Sequence, residues 1–289
     1  MNHLLCFGLG FSASVLAARL KRQGWAISAT SRSESGAARI NALGYRGLVF
    51  DGTAPLADRD FDGVTHVVVS APPGDDGDPV LRVHAADFAR RAGQFHWAAY
   101  LSTTGVYGDR GGGLVTEDTP LTPNTERGAK RVMAETQWLA LWRDHALPVH
   151  LFRLAGIYGP GRNQLMSLRD SSAKRIIKAG QVFSRIHVED IATVLEASMA
   201  HPHPGRAYNV CDDEASPPQD VVEYGAKLLD LPVPPPIPFE NAEMSPMARS
   251  FYADSKRVSN ARITSELGVR LKFPTYREGL EDLAKDLRR

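Results

Sequence analysis

The feature that most constrains this chain is a short turn near its start, Phe7-Gly8-Leu9-Gly10-Phe11-Ser12-Ala13. It stands between an apolar run, His3 to Phe7, and a stretch from Ser12 to Gln23 whose apolar residues Val15, Leu16, Ala18 and Leu20 recur at helical spacing. Strand, G-x-G-x-x-A turn and helix therefore follow one another directly. Gly8 permits the tight turn, Gly10 leaves the backbone bare, and Ala13 lets helix and strand approach closely. The first helical residues, Phe11, Ser12 and Ala13, offer backbone N–H groups and a partial positive charge. That arrangement suits the pyrophosphate of a dinucleotide.

The alternation continues for half the chain. Strands are expected at Ala26 to Thr30, Leu48 to Phe50, His66 to Ser70, Trp97 to Ser102 and Val149 to Leu154. Helical patterns separate most of them, including Ser35 to Leu43, Pro79 to Ala92 and Thr125 to His145. The valine run at 67–69 reads as a strand covered on both faces. The fold class this implies is α/β, a doubly wound parallel (Rossmann) sheet with a smaller C-terminal substrate lobe. Residues 1–155 form the expected dinucleotide-binding domain. Residues 156–289 are expected to be mainly the lobe, with parts near 181–212 returning to the core sheet. The lobe holds helices at Ile191 to Met199, Gln219 to Leu229 and Tyr276 to Leu287, and a strand at Tyr208 to Val210. Its proline-rich stretch, Pro232 to Pro238, fits neither a regular helix nor a central strand.

Charge and cysteine usage exclude other classes. A formal net charge of +1 argues against a nucleic-acid partner, which demands an excess of Lys and Arg. Two cysteines, Cys6 and Cys211, are too few for a disulfide framework and fit a reducing cytoplasm. The apolar N-terminus is broken by two glycines and preceded by no Lys or Arg, unlike a signal peptide. No apolar run reaches the ~20 residues that span a bilayer, so no membrane partner is expected. A small-molecule substrate remains.

The second strand refines the cofactor. An NAD site places Asp or Glu at its end to hold the ribose hydroxyls. Here Ser31-Arg32-Ser33 follows, with no acid before Glu34. Arg32 and the flanking Ser31 suit a 2′-phosphate, so NADP(H) is preferred, with NAD(H) as the lesser alternative. Asp51 ends the third strand, where it reads either as an acceptor for the adenine amino group or as a turn former before Gly52. Ser70 stands where the fourth strand would face the dinucleotide.

Further segments carry a resemblance. These are Tyr100-Leu101-Ser102-Thr103-Thr104-Gly105-Val106-Tyr107-Gly108, Leu154-Ala155-Gly156-Ile157-Tyr158-Gly159-Pro160-Gly161-Arg162, Ile186-His187-Val188-Glu189-Asp190-Ile191-Ala192 and Tyr208-Asn209-Val210. With the glycine turn, they resemble the short-chain dehydrogenase/reductase superfamily in its extended, epimerase/dehydratase-like branch. The resemblance implies hydride exchange with a nicotinamide and, as the usual substrates, nucleotide sugars. It places Thr103 in the position of the Ser/Thr that hydrogen-bonds the reacting oxygen, with Ser102 as the next candidate. Ala155 falls in the segment that passes the nicotinamide. Lys130 matches the Lys of the family's Y-x-x-x-K motif, which holds the nicotinamide ribose, and Glu135 matches the acid that commonly follows. Arg162, with Arg153 and Arg185, could meet a phosphate or carboxylate.

The motif Tyr is missing. Four residues before Lys130 stands Glu126, and no Tyr lies between 108 and 157. Three readings stay open. Glu126 serves as the acid/base; Tyr107 or Tyr158 reaches the substrate; or the chain is a catalytically degenerate NADP(H)-binding redox sensor or regulator. The leading reading is an atypical NADP(H)-dependent oxidoreductase or epimerase/dehydratase-like enzyme. His201-Pro202-His203 reads as a surface loop, and Asp212-Asp213-Glu214 as a solvated turn rather than a metal site. Asp75-Asp76-Gly77-Asp78 reads as a helix-capping loop near the cofactor. The 125–145 helix, with Trp138 and Trp142, permits a homodimer.

Overall fold

The computed structural model describes residues 1–287. β1 (His3–Phe7) leads through the glycine turn into α1 (Phe11–Arg22). β2 (Ala26–Ser31), α2 (Glu34–Ala42), β3 (Arg46–Val49), β4 (His66–Val69), α3 (Pro79–Arg90) and β5 (Trp97–Thr103) continue the alternation. A short β6 (Leu114–Val115) precedes α4 (Glu126–His145), β7 (Val149–Leu154) and β8 (Gly156–Tyr158). Then come α5 (Gln164–Arg169), β9 (Arg175–Ile177), β10 (Arg185–His187), α6 (Val188–Ala200) and β11 (Ala207–Val210). Beyond them lie α7 (Pro218–Leu228), β12 (Pro236–Pro238), α8 (Pro246–Phe251), β13 (Arg257–Val258), α9 (Ala261–Leu267) and α10 (Tyr276–Leu287).

The large sheet has seven strands in the order β11-β7-β5-β4-β1-β2-β3. β1 pairs in parallel with both β2 and β4, β2 with β3, and β4 with β5. This is the doubly wound α/β sheet expected from the alternating pattern. The chain runs outward from β1 to β3, then returns to β4 on the other side of β1. Strand order thus reverses between β1 and β4, and in open α/β sheets ligands bind beyond the carboxyl ends of the strands at such a point. Gly8 and Ser70 are the residues that leave those two strands.

The chain divides into two compact units. The first comprises Met1–Thr103, Ala129–Arg153 and Val194–Tyr208. Its core is aromatic: Phe7, Phe50, Phe61, Phe88 and Trp138 are all buried. His84 is buried among them, its Nε2 accepting from the Leu56 N–H at 3.1 Å and its Nδ1 paired with Asp87 at 2.9 Å. Trp138 does not lie on an outer face of α4. It is 1% exposed, and its indole N–H donates to Asp78 at 3.1 Å. Trp142 packs on Gly205, where a Cβ would fall 2.4 Å from its indole nitrogen. Both tryptophans that suggested a docking face are therefore committed to packing within this unit.

The second unit comprises Thr104–Gly128, Leu154–Thr193 and the described residues from Asn209 onward. It carries three two-stranded parallel pairs, β8 with β10, β9 with β12, and β6 with β13. The proline-rich stretch enters as Pro236–Pro238, in a pair with no central position, as proline requires. Tyr158, Leu165, Val221, Tyr276, Leu280 and Leu283 form a core cluster. The I-H-V-x-D segment serves this unit structurally. Asp190 is fully buried and accepts from the Lys272 and Phe273 N–H groups at 2.7 and 3.0 Å, pinning that loop. Asp212 departs from the expected solvated turn: it is 2% exposed, and burial pushes its carboxyl up to about 8. Among the described residues, no helix is long and apolar enough to cross a membrane.

Candidate functional site

The glycine turn is held open by three local devices. Gly8 has φ +87°, a left-handed conformation, and a Cβ there would lie 3.0 Å from Ser70 Oγ. Ser70 Oγ instead donates to Gly8 O at 2.8 Å. The Gly8 N–H donates to Thr30 Oγ1 at 3.0 Å. The turn is thus clasped between the ends of β4 and β2. Thr30 escaped the sequence reading; the only signal was a hydroxyl at a buried strand position beside the turn.

Beyond the turn, α1 begins at Gly10 with no side chain capping it and no acid in its first turn. The contrast with its neighbours is chemical. Ser33 caps α2 by accepting from Gly36 N, and Asp78 caps α3 by accepting from Val80 N and Leu81 N at 2.8 and 3.1 Å. Ser12 and Ala13 are buried where α1 meets the sheet, while Gly10 is exposed. An uncapped helix start behind a bare glycine turn fits a pyrophosphate.

The end of β2 supplies the second element. Arg32 is exposed and flanked by Ser31 and Ser33. Ser31 packs so tightly on Gly36 that a Cβ there would sit 1.8 Å from its Oγ, which fixes the path of the loop. Asp51 is exposed, and its carboxylate accepts from Thr53 N and Oγ1 at 2.8 and 2.7 Å, the turn-forming role. Those hydrogen bonds hold its carboxyl below the ordinary range.

The third element is the junction of β5 and α4. Arg131 donates to Leu101 O at 2.6 Å and to Tyr100 Oη at 3.1 Å. Ser102 Oγ donates to Glu135 Oε1 at 2.6 Å, and Arg153 binds the same buried carboxylate at 2.8 Å. Ser102 is therefore spent on structure, as is Arg153. Thr103, one residue on, is half-buried at the strand end. Lys130 precedes Arg131 on the helix thus tied down, and its ammonium pairs with Asp75. Glu126 is exposed, one turn earlier on α4.

The remaining candidates lie in the second unit. Tyr107 is fully buried and donates to Asn209 Oδ1 at 2.6 Å. Asn209 N in turn donates to Glu117 at 2.9 Å, so the Tyr-Asn-Val segment is used in packing. Tyr158 is 8% exposed, lies 3.5 Å from Thr275 O through its hydroxyl, and packs on Gly279. Burial raises its pKa further above the ordinary tyrosine value. Ala155 is buried, its N–H donating to Val210 O at 3.0 Å. Arg162 is exposed in the turn closed by paired bonds between Gly159 and Arg162. Arg185 donates to Ser216 Oγ at 2.8 Å and to Phe183 O at 2.9 Å. Among the described residues, no group of His, Cys, Asp and Glu is placed to hold a metal.

Comparisons with known proteins agree with this geometry. The chain is 28% identical to Protein YeeZ of Escherichia coli K12, over 95% of this chain and 97% of that one. It is similar to a conserved protein of unknown function from Silicibacter pomeroyi DSS, with 54% identity, a TM-score of 0.92 and full coverage of both chains. Its fold is shared by the dTDP-glucose 4,6-dehydratase of Bacillus anthracis str. Ames, solved in complex with NAD, at 18% identity and a TM-score of 0.79 over 99% of this chain and 96% of that one. The model of the NAD dependent epimerase/dehydratase family matches residues 8–211, from the first glycine of the turn to the residue after β11. The chain belongs to that family, within the extended branch of the short-chain dehydrogenase/reductase superfamily.

Proposed function

We propose that this protein binds NADP(H) in preference to NAD(H) at the Gly8–Ala13 turn, and that it is an atypical oxidoreductase or epimerase/dehydratase-like enzyme. Its substrate on this reading is small and of the nucleotide-sugar class, as for the dTDP-glucose 4,6-dehydratase whose fold it shares. The observation that carries the reading is the uncapped start of α1 behind a left-handed Gly8 that Ser70 and Thr30 clasp. Arg32 and the Ser31 and Ser33 hydroxyls support the phosphorylated cofactor, since a guanidinium recognises a dianionic phosphate bidentately. The cofactor, when bound, supplies hydride transfer at its nicotinamide. Lys130 holds the adjacent ribose and adds positive charge there, while Thr103 hydrogen-bonds the reacting oxygen. Glu126 occupies the place of the family's Tyr and is the candidate to move the proton.

Titration of the full chain with NADPH and NADH tests the cofactor reading. NADPH should bind tighter, and Arg32→Ser should weaken it about tenfold while changing NADH less than about twofold. Tighter NADH binding, with Arg32→Ser leaving NADPH unaffected, would overturn it. A second reading, a redox sensor without turnover, is favoured by one observation: Tyr107 and Tyr158 are both buried. NADPH oxidation with carbonyl substrates, abolished in Lys130→Met, separates the enzyme from the sensor.

A further inference from the structure

The loop between β4 and α3 reaches Lys130, and the way it is anchored bears on how the cofactor would enter. It leaves β4 at Ser70, the residue that touches Gly8. Gly74 and Gly77 exchange N–H···O bonds of 2.9 and 3.3 Å, so Asp75 and Asp76 form the tip of a tight turn. The base of the turn is fastened to α4. Asp78 accepts from the Trp138 indole at 3.1 Å, and the Gln137 amide lies where a Cβ on Gly77 would come within 3.2 Å of it. The tip meets the same helix two turns earlier, where Asp75 pairs with Lys130. Residues 130, 137 and 138 share one face of a helix, so the loop lies along α4 as a strap. Its base is buried, with Asp78 1% exposed, whereas the Asp75 side chain is 85% exposed. The other tip residue, Asp76, points to Arg82 at 3.2 Å instead.

We propose that Asp75 is an internal competitor for the cofactor: it holds Lys130 in the free protein and must release it when the nicotinamide ribose binds. This rests on the reading that Lys130 holds that ribose. An ammonium prefers an ionised carboxylate to neutral hydroxyls, and Lys130 in turn holds the Asp75 carboxyl below its ordinary range. Only the fraction of molecules with Lys130 released binds the ribose, so the apparent affinity falls by that fraction. The pair is exposed at its tip, so the effect is small and the strap opens readily. The buried Asp78 anchor keeps the loop in place while the tip swings.

The experiment is NADPH titration of four full-length chains: native, Asp75→Asn, Asp76→Asn and Lys130→Met, with the Asp75→Asn/Lys130→Met double variant beside them. Asp75→Asn should tighten NADPH binding about three- to fivefold, the scale of an exposed ion pair. Asp76→Asn removes the same charge from the same tip without touching Lys130, and should change affinity less than about 1.5-fold. The gain should vanish in the Lys130→Met background. No gain, an equal gain from Asp76→Asn, or a gain that survives Lys130→Met would each overturn the competitor role. Lys130→Met binding NADPH as tightly as the native chain would instead fail the underlying reading of Lys130. A loss of affinity in Lys130→Met with no gain in Asp75→Asn fails the strap alone.

Discussion

The glycine-turn end of the first unit and the motif-rich strand ends of the second are equally conspicuous as sequence, but they use their polar groups in opposite ways. At the turn, α1 starts without a side-chain cap, Arg32 is exposed, and Lys130 pairs with an aspartate whose side chain is exposed. In the second unit, Asp190 takes two backbone N–H groups, Tyr107 takes Asn209, and Asn209 takes Glu117, all at buried positions. Groups matched inside their own unit, as the Asp190 carboxylate and the Tyr107 hydroxyl are, serve to specify the fold. A motif that leaves a helix start uncapped at a glycine turn offers itself to a ligand.

The largest expected effect tests whether the open end rests on a closed foundation. Glu135 is 2% exposed and binds both Arg153 and Ser102, so Glu135→Ala removes the carboxylate that pairs a buried guanidinium. The expected loss is about 3–5 kcal/mol of unfolding free energy, read by urea denaturation. A loss under about 1 kcal/mol would mean that this network does not tie α4 to the end of β5.

The next effect separates the two units by pH. In the first, burial lowers His66 and His150 to about 4. Unfolded, each histidine takes up a proton near pH 6.5 that the folded form accepts only near 4. Their stabilisation is therefore present above pH 6.5 and is lost as pH falls through that window, by up to about 1.4 kcal/mol per pH unit for each. Asp212, in the second unit, has the opposite sign. Burial raises it to about 8, so the folded carboxyl keeps a proton that the unfolded chain releases near pH 4. Its stabilisation is present below about pH 4 and is lost as pH rises towards 8. Amide exchange should show the sheet around His66 and His150 opening first at pH 5, and the 211–214 segment opening first at pH 8. Asp212→Asn should flatten the second trend and leave the first.

How legible this was depended on the range of the forces involved. The alternation of β1 through β5 follows from local periodicity, and the Gly8 turn from local sterics, so both could be read directly. The capping role of Asp78 was readable for the same reason, since its partners lie two and three residues away. The burial of Asp212, Trp138 and Tyr107 was not readable. Tyr107 meets Asn209 across 102 residues, and Trp138 meets Asp78 across 60. Short parallel pairs such as β8 with β10 hold three residues each, too few for a period to register. The Lys130–Asp75 pair spans 55 residues, and no local pattern marks it.

The smallest effect bears most directly on the comparison, because it asks whether a conspicuous tyrosine belongs to the fold or to the chemistry. Tyr107→Phe removes a hydroxyl that donates to Asn209 Oδ1 at 2.6 Å and leaves that buried acceptor short of a partner. The expected cost is about 1–2 kcal/mol of stability. If Tyr107 serves only packing, NADPH affinity and any NADPH-consuming turnover should stay within about twofold of native once the variant is assayed well below its melting temperature. A turnover loss of about a hundredfold or more with native NADPH affinity would instead place a proton-transfer role on Tyr107. The second unit would then hold a working group behind a hydrogen bond that looks structural, and burial of a matched donor would no longer separate fold from function in this chain.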